Sequence, residues 1–270
     1  MRAITLLFFL FLFQIPEGQA QVEETIEPEY IRTIQFKGTS AQSRLPIIEL
    51  GQKLQLSFDD IIGNEADYFY TIEHFNFDWT PSDLSKGEYL DGFDDVRIET
   101  YENSFNTLQL YSNYKLSIPN RETRAIKKSG NYLLRIFNDD GEIVFSRKFM
   151  VLERVLSVEV EIKRSRIIKN IDQQQVVQFK INSPNLLLIN PKQNVKTLVL
   201  QNNNLKTAIT NLKPLYTIGS ELIYKYDQEA AFWGGNEFLF FDNKDLRSST
   251  NGVRYVELNE LYENFLFTNI

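Results

Sequence analysis

The side chains most able to do chemistry are few in this chain. Its 270 residues hold a single histidine, His74, and no cysteine. A Ser-His-Asp triad or a two-histidine zinc site cannot be assembled around one imidazole that has no nucleophile or carboxylate at a suggestive spacing. The missing cysteines remove thiolate nucleophiles, iron–sulfur ligation, thiolate zinc sites and disulfides together. Asp and Glu total 36, enough to supply a carboxylate pair, yet no motif singles one out. The string Asp91, Gly92, Phe93, Asp94, Asp95 departs from a calcium loop, which needs alternating oxygen ligands, a glycine at its sixth position and a distal glutamate. It reads as an acidic surface turn. No catalytic residue, metal site or cofactor is expected, and His74 reads as a hydrogen-bonded strand residue.

What remains is a chemistry of contact. Phe75, Phe77, Trp79 and Pro81 make an aromatic turn at the end of the His74 strand, and Tyr89 and Phe93 follow in an irregular connection. One reading has Trp79 plugging the end of a core, since large aromatics dominate burial. The other makes Phe77, Trp79, Tyr89 and Phe93 a partner-binding set, rimmed by Asp78, Asp83, Asp91 and Asp94. The basic cluster Lys163, Arg164, Arg166 and Lys169 reads as a solvated strand end, or as a contact with an acidic surface.

The elements that hold these residues are strands. Leu54, Leu56 and Phe58 alternate with Lys53, Gln55 and Ser57, which places the apolar set on one face. Tyr114, Leu116 and Ile118 do the same, as do Tyr132, Leu134 and Ile136. Residues 130–151 form a hairpin, with Gly141 taking the positive φ of its loop. Residues 68–75 are rich in aromatic and β-branched types that suit a pleated surface. The alternation restarts with Leu156, Val158, Val160 and Ile162, and further strands are expected at 176–181, 195–200, 222–226 and 237–241. Short strands without an amphipathic helix between them predict an all-β chain, two consecutive antiparallel β-sandwich, immunoglobulin-like modules. Leu56, Phe58, Leu134, Ile136, Val158 and Val160 should point inward.

The chain is organised as follows. Residues 1–20 read as a cleaved signal peptide: Arg2, an apolar run over 4–13, then Gly18 and Ala20. That run is about half of the ~20 residues a spanning helix needs, and no cysteine follows to carry a lipid. Residues 21–28 form a polar leader, 29–152 one β-sandwich module, and 155–270 a second β module. The apolar stretch 261–267 stops without a turn, so the second module is expected to be truncated. The formal charge of -7 argues against nucleic acid, and 43% hydrophobic residues suffice for real cores.

Several strings then resemble one family. They are Ile72, Glu73, His74 leading into Phe77, Asp78, Trp79, Thr80, Pro81, Ser82; the stretches 88–94 and 101–108; Ser129, Gly130, Asn131, Tyr132, Leu133, Leu134; Val176, Val177, Gln178, Phe179; and 235–238 leading into 241–245. In that order they resemble the type IX secretion system plug protein family of the Bacteroidota, from about Tyr30 to the end. The resemblance implies a non-enzymatic periplasmic protein that closes the periplasmic opening of a large outer-membrane β-barrel translocon; the residues themselves argue against a lipid anchor and nucleic acid. The competing reading is a periplasmic or surface glycan-binding β-sandwich, with Phe77, Trp79 and Tyr89 stacking on sugars.

Overall fold

The computed structural model describes residues 22–40, 44–235, 241–245 and 252–268. The expected signal peptide lies outside them, as does nearly all of the strand expected at 237–241. The chain is all-β, as its alternation predicts, and divides into two compact units after Val155.

The first unit is a sandwich. Its strands are β1 (Ile31–Gly38), β2 (Ile47–Glu49), β3 (Leu54–Asp60), β4 (Phe69–Phe75), β5 (Leu90–Gly92), β6 (Val96–Arg97), β7 (Thr100–Asn103), β8 (Ser112–Ile118), β9 (Thr123–Ile126), β10 (Gly130–Phe137) and β11 (Ile143–Leu152). One sheet runs β1-β3-β8-β7 and the other β2-β11-β10-β4-β6, with β5 and β9 paired as a ribbon. Pairing is antiparallel except where β2 joins β11 in parallel. The expected registers hold. Leu56 faces Leu116 across one sheet, Leu134 faces Ile72 across the other, and Leu56, Phe58, Leu134 and Ile136 are all buried. Phe58 bridges the sheets, its ring edge-on to Phe145 at 5.2 Å. Gly141 has φ 76 in the hairpin loop.

The leader is less exposed than its composition implies. Thr25 and Ser146 exchange bonds: the Thr25 N–H donates to the Ser146 hydroxyl (2.7 Å), and the Ser146 N–H donates to the Thr25 carbonyl (3.1 Å). Arg147 pairs with Glu27 at 2.5 Å and holds its carboxyl below the usual glutamate range. A polar segment can lie on a strand edge because that edge offers backbone partners regardless of side chain.

The second unit is built from β12 (Ser157–Arg164), β13 (Gln174–Asn182), β14 (Leu198–Gln201), β15 (Asn204–Thr210), β16 (Tyr216–Ile218), β17 (Glu221–Tyr224), β18 (Ala231–Trp233), β19 (Val253–Leu258) and β20 (Tyr262–Leu266). Its main sheet runs β12-β13-β17-β16, with β18 on β13, and β14-β15 and β19-β20 are separate two-stranded hairpins. Phe179, Ile181, Leu222 and Tyr224 form the core, with Val199 and Ile209 packed against it. Here one expectation fails. Val158 and Val160 are 57% and 59% exposed. They sit opposite Ile181 and Phe179, so they share the core-facing side of the sheet. Among the described residues, the apolar cover over β13 and β17 stops short of edge strand β12. The face was right; its burial was not.

Burial also sets an alkaline limit. The phenols of Tyr68, Tyr114 and Tyr132 are pushed above the usual tyrosine range, chiefly by burial, and Tyr224 is pushed up to about 12 by the same cause. An unfolded phenol ionises near pH ~10, so these groups stabilise the fold fully below that pH. The contribution is lost as pH rises through the higher folded values. The expected result is cooperative loss of near-ultraviolet dichroism above about pH 10, with a burst of tyrosinate absorbance at the same point. A smooth titration of every tyrosine with the dichroism intact would contradict this packing.

Candidate functional site

The aromatic segment is held by its backbone, and each ring has a different environment. Beyond β4, the Asn131 side-chain amide donates to the carbonyls of Asn76 (2.9 Å) and Phe77 (3.1 Å). Asp78 accepts from the Thr80 N–H and hydroxyl, which lowers its pKa. Phe77 emerges from this pinned turn 64% exposed. Trp79 takes φ 65 and is half-buried, its ring tilted against Phe75 at 6.4 Å and covered by the Lys148 ammonium at 4.5 Å. Its carbonyl accepts from the Val22 N–H of the leader.

Phe93 is presented by a buried relay. Asn120 donates to the Tyr70 hydroxyl, Tyr70 to the Thr123 hydroxyl (2.8 Å), and Thr123 to the Phe93 carbonyl (2.5 Å). That direction follows because Thr123 spends its only proton on the carbonyl. The backbone is fixed while the Phe93 ring stays 71% exposed. The neighbouring acids are committed singly. Asp91 pairs with Arg124, and Asp94 accepts from Lys86 and from the Ile72 N–H. Among the described residues no group of three or more acids and histidines converges as a metal site would.

Tyr89 does not belong to this surface. It is 5% exposed, donates to the Ile72 carbonyl at 3.2 Å, and stacks on His74 with centroids 5.6 Å apart. Burial raises its phenol pKa. The cause is a one-turn helix, α1 (Lys86–Tyr89), started by a capping box in which the Ser85 N–H donates to Glu88 at 2.7 Å. That turn swings Tyr89 inward, so its reading as a surface anchor is corrected. Ser85 and Glu88, three apart, were the available signal. His74 itself bonds Ser82 at 2.7 Å and packs edge-on against Tyr132. It is a strand residue closing one end of the core.

A second exposed set escaped the sequence reading. Residues 104–111, between β7 and β8, carry Phe105 at 93% exposure and Leu108 fully exposed, with Leu110 and Ile62 also open. Phe105 and Leu108 are an apolar pair within a polar Asn, Thr and Gln loop, and that contrast was the only cue.

Residues 31–153 match a family model described as the type 9 secretion system plug protein first domain. A crystal structure of a hypothetical protein from Parabacteroides merdae matches with a TM-score of 0.78 at 31% identity, over 92% of this chain and 64% of that one. The chain thus spans just under two thirds of that relative's length. A comparison with curated proteins found no match. Residues 31–153 are therefore similar to type 9 secretion system plug protein first domains.

Proposed function

We propose that this protein is a non-enzymatic periplasmic plug for the outer-membrane β-barrel translocon of type 9 secretion, exported by residues 1–20 and associated peripherally with the outer membrane. The observation that carries this is the match of residues 31–153 to the plug first domain. Rigid sheets with braced, aromatic-bearing loops suit a body that must fill an opening without unfolding. Phe77 with Trp79 in the same turn, and separately Phe93, are the proposed contacts, each an exposed or half-exposed ring on a fixed backbone. Such anchors lose little entropy on docking.

The glycan reading is weaker on geometry. A sugar platform needs several rings on one open face, but Tyr89 is buried. Phe93 directly precedes Asp94 and Asp95, which bond Ile72 and Tyr70, whereas Phe77 lies beyond the end of β4. At ~3.3 Å per residue that separation is on the order of 15 Å.

The direct test is conductance. The purified translocon barrel in a planar bilayer should pass ions, and the protein added on the periplasmic side should reduce that current. The double variant Phe77→Ala with Phe93→Ala should associate about 30-fold more weakly at a true hot spot, with its melting temperature unchanged. An open barrel whose current ignores the wild-type protein would end the plug reading.

A further inference from the structure

We infer that the loop 104–111 is a second docking element, a preformed apolar knob that inserts into an apolar pocket with a basic rim on a partner protein. The inference rests on the plug reading for the partner's identity, the periplasmic mouth of the translocon, and on the loop's own geometry for everything else.

The loop is built to stay open. Its neck is closed by the Ser104 N–H donating to the Tyr111 carbonyl (2.8 Å) and the Tyr111 N–H donating to the Ser104 hydroxyl (2.9 Å). Ser112 donates to Asn103 at 2.8 Å, and Asn103 in turn donates to Glu65. Inside the loop the Thr107 hydroxyl donates to the Gln109 carbonyl (2.7 Å), while the Gln109 amide donates to the Ile61 carbonyl (2.9 Å). Asn106 takes the left-handed conformation at φ 55, which turns the chain between the two apolar residues. A floppy loop would let Phe105 and Leu108 fold back onto the sandwich. These bonds prevent it, and both side chains remain in water.

An apolar tip held out in this way marks an interaction surface. Its surroundings choose the partner. The charged groups bracing the loop are mainly acidic: Glu65 binds Tyr101 and Asn103, Asp59 binds Asn113, and Glu102 pairs with Lys115 at 2.9 Å. An acidic collar repels the anionic headgroups that draw interfacial segments onto membranes. It favours a pocket edged with lysine or arginine, and such complementarity accelerates docking. The loop joins the sandwich at Ser112, opposite Asp60, the end where β4 begins; Phe77 lies past the end where β4 stops. The first unit thus carries contacts at both ends, as a body bridging an opening requires.

The test uses the whole chain, with the double variant Phe105→Ser and Leu108→Ser. Probes are the detergent-solubilised type 9 translocon barrel and vesicles of phosphatidylethanolamine with phosphatidylglycerol. Expected are barrel binding at least about 30-fold weaker than wild type, an unchanged melting temperature, and no wild-type binding to vesicles. Equal barrel binding by variant and wild type would overturn the knob while leaving the plug reading intact. Vesicle binding that disappears in the variant would make the loop a lipid contact and overturn it too. No binding of the wild type to the barrel would remove the plug reading and this inference with it.

Discussion

Gly92→Ala is expected to destabilise the first unit by about 3 kcal/mol, from overpacking combined with a positive φ. Gly92 closes β5 at φ +95, next to a bulge in its pairing with β9. A Cβ there would run into the Glu122 carbonyl oxygen, which is backbone and cannot swing aside. Relief requires β5 and β9 to part. That would break the Phe93 N–H bond to Glu122 (2.9 Å) and disturb the relay from Thr123 to Tyr70. Urea unfolding followed by tryptophan fluorescence would read the loss. Gly51→Ala is the control: φ is +86 but the added carbon meets open space. It should cost only about 1 kcal/mol, the strain of φ alone. Equal losses for the two variants would mean that the collision is not the cause.

Asp60→Ala is expected to cost about 4 kcal/mol, because it strands donors that a carboxylate had satisfied. Asp60 is wholly buried at the end of β3. One oxygen accepts from the Tyr68 hydroxyl at 2.8 Å and the other from the Ile62 N–H at 2.9 Å. Asp60→Asn keeps an acceptor for one of them and should lose roughly half as much. The companion variant Tyr68→Phe separates pairing from packing. If the bond is the source of stability, Asp60→Ala with Tyr68→Phe loses clearly less than the two single losses summed. Simple additivity in the urea midpoints would refute the pairing argument.

How far the sequence reached differs from one element to the next. In β3, β8 and β10 the alternation placed Leu56, Leu116 and Leu134 correctly on buried faces. Each lies inside a sheet whose other layer is supplied by equally apolar strands, so pattern and burial coincide. In β12 the same alternation gave the right face, and Val158 and Val160 are nevertheless open. Whether a face is covered depends on what packs over it, which no local period encodes. Of the proposed contact residues, Phe77 and Phe93 were legible as aromatics in an irregular segment and are exposed, while Tyr89 was drawn inside by a single helical turn.

The sequence by itself determined the all-β class, the strand faces and the poverty of reactive side chains, because these follow from residue type and a two-residue period. Only the tertiary structure decided which aromatic rings meet water. Tyr89 and Phe93 are four residues apart with similar side chains, yet one stacks on His74 and the other stands clear of a relay from Asn120. The leader's bond to Trp79, the uncovered edge at β12 and the raised loop at 104–111 are likewise products of distant segments meeting. Alternation along a strand is a short-range property; exposure is a sum over everything that arrives from elsewhere in the chain.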